Sequence, residues 1–165
     1  MAGEENTNKS QGELIDRVWE LSKSIGTALL TTWDGKEQSM RPMSANVKRE
    51  EFAVHFLAAV DSPPVQHIER FDAVVLGFTE SKKCVTLNGH ARISNDRAKI
   101  RELWTPFAKA WWDSAEDPRI RVITVTPDHA ELWDSPNALI ASAIMLTAAA
   151  TGTRPSVGDH AKVAL

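Results

Sequence analysis

Leu14, Val18, Leu21 and Ile25 fall at helical spacing, and Ile15 and Trp19 widen the stripe, so an amphipathic helix is predicted from Glu13 until Gly26 stops it. The polar residues before it, within 1–12, read as a disordered lead-in, leaving 13–165 as one domain. Beyond Gly26 the period shortens. Thr27–Trp33 is a strand, Asp34-Gly35 a tight turn, and Lys36 to Ala45 the return strand, with Pro42 inside it. Proline cannot donate to a ladder, so this strand is expected to have an edge, a bulge or a break near Pro42. Glu51–Leu57 follows, with Phe52, Val54 and Phe56 alternating with Glu51, Ala53 and His55. Ser62 with the prolines after it starts a short helix.

Ala73–Glu80 is nearly continuous in apolar residues and belongs well inside a sheet. In Cys84–Ile93, Cys84, Thr86 and Asn88 alternate with Val85, Leu87 and Gly89. Ser94 or Asn95 can cap a helix from Asp96 that carries Ile100, Leu103, Trp104 and Phe107 on one side. Ile120–Thr126 is a strand, Pro127-Asp128 a turn into His129–Asp134, and a last helix is expected near Leu139–Ala150. Short turns join most of these strands and no strand–helix–strand rhythm is present, so a small antiparallel barrel with peripheral helices fits best.

Composition narrows the class. The chain has 165 residues, a net charge of −3 and 42% hydrophobic residues, enough for one core without staples. Cys84 is alone, which excludes an internal disulfide. No secretory leader or membrane-spanning run is evident, and the mild acidity argues against nucleic-acid binding, so a cytoplasmic protein is expected. Six tryptophans and no tyrosine leave two readings open, a Trp-rich core or a wall around something flat.

Candidate chemistry is sparse. Glycine-rich phosphate loops, a G-x-S-x-G elbow and paired metal-ligand histidines are all missing, so no catalytic residue and no metal is assigned. His55 and His90 fit ordinary packing or hydrogen bonding on a strand face. Ser39-Met40-Arg41-Pro42-Met43-Ser44 is the most informative stretch. Pro42 frees nearby backbone groups, Arg41 offers a planar cation, and Met40 and Met43 give soft apolar surface. A flat cofactor with an anionic tail would need such a set; an edge strand with a surface ion pair fits it equally. Trp104–Trp112 fits an oligomer contact, an aromatic wall or core packing.

At these residues the chain resembles the general stress protein 26 branch of the pyridoxamine 5′-phosphate oxidase-like, FMN-binding split-barrel proteins. The matching pieces are Leu30-Thr31-Thr32 with Asp34-Gly35, Arg41-Pro42-Met43, Gly89-His90-Ala91 with Asn95-Asp96-Arg97, and Trp104 with Ala110-Trp111. Asp117-Pro118, Val125-Thr126-Pro127 with Ala130-Glu131-Leu132-Trp133-Asp134, and the end through Lys162-Val163-Ala164-Leu165 match as well. The resemblance implies a mainly β, six-stranded antiparallel split barrel that forms a homodimer, with FMN in grooves between subunits. It places Arg41, Pro42 and Met43 along the flavin ring and ribityl tail, Thr31 and Thr32 on the strand beside the ring, and Trp111 in the segment that closes the pocket; Met40, from the same stretch, is the remaining cofactor-binding candidate.

Two departures bear on the cofactor. FMN-holding members have an aromatic-aromatic-Thr strand end and a lysine opening the short helix. Here Ala58 replaces the hydroxyl and Pro64 stands about where the lysine would be. The functional expectation is an FMN-binding protein, a flavin-dependent oxidoreductase or a stress-related flavin binder, with FAD or another flat cofactor as variants. The alternative is a non-enzymatic split-barrel dimer that has lost FMN and binds another flat ligand or none.

Overall fold

The computed structural model describes residues 9–135, 147–152 and 159–165, and Ser10 caps its first helix. The Ser10 hydroxyl accepts from the Glu13 N–H at 3.3 Å, and the Glu13 carboxylate accepts from the Ser10 N–H at 2.8 Å. This reciprocal cap starts helix α1 at Gln11–Ile25, inside the stretch expected as a lead-in. Ser-x-x-Glu was the signal for it. Gly26, at φ 70, takes the left-handed conformation that ends the helix, and its N–H donates to Ser22 O.

The remaining elements follow the expected order with two additions. They are β1 (Thr27–Trp33), β2 (Gln38–Ser44), β3 (Asn46–Lys48), β4 (Ala53–Ala59), α2 (Pro63–Arg70) and β5 (Ala73–Glu80). Then come β6 (Lys83–Ser94), α3 (Arg97–Leu103), β7 (Ile120–Asp134) and β8 (Asp159–Ala164). Asp96, rather than Ser94 or Asn95, caps α3 by accepting from the Lys99 N–H at 3.0 Å. Phe52 is not part of the third strand's alternation; it has φ 51 at the end of a short 3-10 turn. The helix expected near Leu139–Ala150 lies largely outside the described residues, of which 147–151 are helical.

All pairings are antiparallel. Seven strands run in the order β2-β1-β5-β6-β7-β4-β3, and β8 pairs β7 off that path. Among the described residues the sheet has eight strands, where six were expected. β3 continues β2 beyond a break at Ala45, and it holds a single apolar residue, Val47, too little for a sequence pattern. β8 adds a further short strand beside β7. β2 and β3 close opposite ends of the strand order, yet only Ala45 separates them in the chain. The sheet must therefore curl until its margins meet. The Ala45 N–H donates to Gly26 O at 2.8 Å and ties this corner to the end of α1.

The expected strands Ile120–Thr126 and His129–Asp134 are one continuous strand of 15 residues. β6 runs beside Val122–Asp134, whereas the other side of β7 is shared: Ile120–Val125 pairs β4 and His129–Asp134 pairs β8. Pro127 falls at the changeover, where its missing N–H leaves no gap in either ladder. A register shift between Asn88 and Gly89 absorbs the extra residue, Asp128. A Cβ on Gly89 would stand 2.2 Å from Thr126 O and 2.6 Å from Pro127 Cα, so only glycine fits there.

Residues paired directly across strands share a sheet face. The inner rows Leu30–Leu76–Leu87–Ala130–Val163 and Val85–Leu132–Ala161 are buried, and α1 and α2 close over them with Val18, Trp19, Val65 and Ile68. A second cluster lies outside the curl, where Ile100 and Leu103 of α3 pack on Ile120 and Val122. The Arg17 guanidinium bonds the Asp134 carboxylate at 2.6 Å and anchors α1 to the end of β7.

Gly89→Ala should destabilise the protein by about 2–4 kcal/mol, because its Cβ meets backbone and not a movable side chain. Gly12→Ala in α1, which meets nothing within 4 Å, should be neutral or stabilise by up to about 1 kcal/mol. Urea unfolding of both variants checks the contrast.

Candidate functional site

The first hairpin carries six of the seven expected site residues. Asp34 shapes its turn, with Oδ1 accepting from the N–H groups of Lys36 and Glu37 at 2.6 and 2.7 Å. Those two amides hold the Asp34 carboxyl below its ordinary range. The turn fixes a register in which Thr31 faces Met40, Thr32 faces Ser39, Leu30 faces Arg41, Leu29 faces Pro42 and Ala28 faces Met43. Pro42 thus sits on an edge strand, in keeping with its missing donor.

Register and alternation divide the set between two faces. Thr32, Arg41 and Met43 share the inner face with buried Leu30 and Ala28, while Thr31, Met40 and Pro42 share the outer one. Met40 is 62% exposed. Thr32 is buried, and its hydroxyl lies 2.9 Å from His67 Nδ1 and 3.3 Å from Ser39 Oγ, which joins β1 to α2 and β2. Arg41 Nε is buried with no hydrogen-bond partner. A guanidinium N–H withheld from water and left unpaired is costly, and it marks a donor without its acceptor.

The outer face continues from this hairpin across the sheet. Thr31, Val75, Asn88 and His129 form one row, and Leu29, Gly77, Thr86 and Glu131 the next. These side chains are half-buried; the helix residues packed into the main cluster lie with the inner rows. Cys84, Trp133 and His160 make a third row, in which the indole stacks on the imidazole at 4.8 Å. Burial pushes the Cys84 thiol up, away from nucleophilic character.

Trp111, the seventh residue, belongs to the α3 layer and not to the hairpin. Trp104 and Trp112 turn inward onto the Ile100–Leu103 cluster, whereas Trp111 and Phe107 are 78% and 85% exposed. The expected apolar helix face therefore ends before Phe107, because α3 stops at Leu103 and a 3-10 turn over Pro106–Ala110 reverses the side chain. Arg97 donates to the carbonyls of Ala115 and Asp117, and Arg101 grips Glu116 through two bonds, so the segment after Trp112 is tied to α3.

The start of α2 is short of anion-binding groups. Ser62 occupies the cap position, but its hydroxyl makes no capping bond and is buried without a partner. Pro63 and Pro64 bring no N–H, Pro64 and Ala58 are buried, and Asp61 precedes them.

One polar cluster escaped the sequence reading as a unit. His55 Nδ1 lies 3.1 Å from the Thr124 hydroxyl and Nε2 lies 3.0 Å from the Glu51 carboxylate. Glu51 pairs with Lys99, Lys99 with Glu102, and Glu102 with Lys48. Arg92 pairs across the ladder with Thr124 on the same face. The expectation of a hydrogen-bonded strand-face histidine holds; its charged neighbours come from α3 and β3, which no local pattern brings together. Burial pushes the His55 pKa down, against an upward pull from Glu51. His90 instead lies exposed between Asp72 and Asp128, at 3.2 and 3.4 Å. Among the described residues no group of His, Cys, Asp and Glu has the arrangement of a metal site, and no helix is long and apolar enough to cross a membrane.

A curled antiparallel sheet with peripheral helices places the chain in the class of split-barrel proteins. The chain belongs to the pyridoxamine 5′-phosphate oxidase-like family, whose model matches residues 13–156. Solved structures agree on the fold. A Jannaschia sp. CCS1 protein described as a general stress protein 26 superposes with a TM-score of 0.77 at 19% identity, over 93% of this chain and 99% of that one. The general stress protein 26 of Bacillus anthracis gives 0.67 at 19% identity, over 73% and 93%. The general stress FMN/FAD binding protein of Xanthomonas citri gives 0.66 at 24% identity, over 74% and 89%. A search of curated proteins gave no significant match.

The His55 cluster sets an expected pH dependence. With the folded-state pKa below the ordinary value of about 6.5, the unfolded chain binds more protons between the two values. Stability from this group is therefore full above about pH 7 and is lost as pH falls through about 6.5 toward the lowered folded value. His55→Gln should flatten that part of the curve in chemical denaturation between about pH 7 and 5. An unchanged slope would refute the assignment.

Proposed function

We propose that this chain is a flavin-binding homodimer, with FMN the cofactor its family points to, lying along β2 in a groove between subunits. The observation that carries the reading is the buried, unpaired Arg41 Nε beside Pro42 on an edge strand. A polarised ring atom or an oxygen of the ligand supplies the missing acceptor. Met40, Pro42 and Thr31 offer apolar and hydroxyl contacts on the outer face, and Met43 and Thr32 share the inner one with Arg41. Trp111, exposed on its turn, helps to close the groove. Bound flavin would itself supply the electron transfer, so an oxidoreductase needs no protein nucleophile here. A stress-related flavin binder in the cytoplasm uses the same site.

The outer sheet face supports the dimer. Leu29, Val75, Gly77 and Thr86 are small or apolar and half-buried in the protomer, the composition of a face that packs against a second sheet. The second reading, a split barrel that has lost FMN and holds another flat ligand or none, is favoured by one observation, the Ala58, Pro63 and Pro64 positions around the start of α2.

Visible absorption of the purified protein and a fluorescence titration with FMN separate the two readings. Flavin bands, or binding of added FMN, are expected; colourless protein that ignores FMN would establish the alternative. Arg41→Ala should weaken flavin binding by about 1.5–3 kcal/mol through loss of a charged hydrogen bond. Val75→Asp should yield monomers in sedimentation and lower flavin affinity at the same time, whereas a flavin-loaded monomer would contradict the shared groove.

A further inference from the structure

The donors around the start of α2 and on β2 say which part of a flavin this chain recognises, and the inference rests on the flavin-binding reading. A helix start holds a phosphate through free amides, the positive end of the helix dipole and a nearby cation. At α2 most of these are missing, and the Val65 N–H is the amide its first turn still offers. Pro63 and Pro64 occupy the first turn and have no N–H, and the Ser62 N–H is spent on Ala59 O. Asp61 places a carboxylate at the positive end of the helix. The first turn of α2 contains no lysine or arginine, and Pro64 is buried where a cation would have to reach solvent.

The neighbouring cations are already engaged. The Val60 N–H donates to Arg119 O, which brings β7's approach beside this turn. The Arg119 guanidinium, however, is held by Asp117 at 2.8 Å, and Arg121 donates to the carbonyls of Pro118 and Ile120. What remains unspent is of another kind. Ser62 Oγ and Arg41 Nε are both buried without partners. The Ser62 hydroxyl suits the hydroxyls of a polyol chain, which both give and accept hydrogen bonds, and the Arg41 cation that would favour an anion stands on β2 and not at the helix start.

We infer that this chain holds a flavin through its ring and ribityl chain, with the 5′-phosphate contributing little, so that riboflavin and FMN are bound alike. The flavin is recognised as a neutral-tailed ligand, and the phosphate of a flavin nucleotide extends into solvent instead of being anchored at α2.

Parallel fluorescence titrations of the full chain with riboflavin and with FMN test this. The expected dissociation constants agree within about threefold, against the hundredfold or larger gap that two or more charge-assisted phosphate contacts would create. Pro64→Lys should tighten FMN about tenfold and leave riboflavin unchanged. If that variant does not fold, the same comparison on Asp61→Asn, which removes the opposing carboxylate, should favour FMN alone. FMN binding more than tenfold tighter than riboflavin in the unaltered chain would overturn the inference and leave flavin binding intact. Binding of neither would overturn the flavin-binding reading itself and this inference with it.

Discussion

The close approach of Gly89 to the Thr126–Pro127 backbone is the constraint on which the rest of the sheet depends. β7 is the long strand that all the curvature passes through, and it must change neighbours halfway, from β4 to β8. That change needs one residue without a ladder donor and one extra residue in the strand, and Pro127 and Asp128 provide them. β6 can follow only if its backbone closes onto the bulge, which any side chain at position 89 would prevent. Without the bulge the ladder would run on straight, and β3 and β2 would not come round to meet at Ala45.

The curl gives the two sheet faces different fates. The inside closes under α1 and α2, with Trp19, Phe56 and Phe78 fully buried, and α3 covers the outside only over β4 and β7. The outer face of the other strands keeps half-exposed small and apolar residues beside the Arg-Pro-Met edge. The core is therefore built on the inner side of these strands, and their outer side is left open. Arg41 is where the two meet, since its backbone lies on the exposed edge and its guanidinium on the inner face.

Much of this was legible locally. The Thr27–Trp33 strand, the Asp34-Gly35 turn, the edge position of Pro42, the short proline-led helix and the Cys84/Val85 alternation are all properties of neighbouring residues. Some readings changed for local reasons, such as the Ser10 cap, and others needed a distant partner. Pro127 looked like the end of a strand because a proline breaks a ladder, but between two successive partners it breaks nothing. Phe107 looked like core because its spacing from Leu103 is helical, but the helix had ended. Of the site, six residues on one hairpin were readable together, while the missing acceptor of Arg41 and the idle Ser62 hydroxyl were not. Hydrogen-bond satisfaction is a property of the assembled chain.

The sequence by itself determined the helix and strand periods, the hairpin turn and the proline and glycine positions, because these rest on residues within a few positions of one another, and it pointed to the family through the order of motifs spread along the chain. Tertiary structure alone decided that the eight described strands form one curled sheet, that Arg41 and not Met40 takes the inner face, and that the three clustered tryptophans part company. It also gathered His55, Glu51, Lys99, Glu102 and Lys48 into one network. The physical reason is common to all of these. Each depends on which surfaces are covered and which polar groups find partners, and both are settled only when segments far apart in the chain pack together.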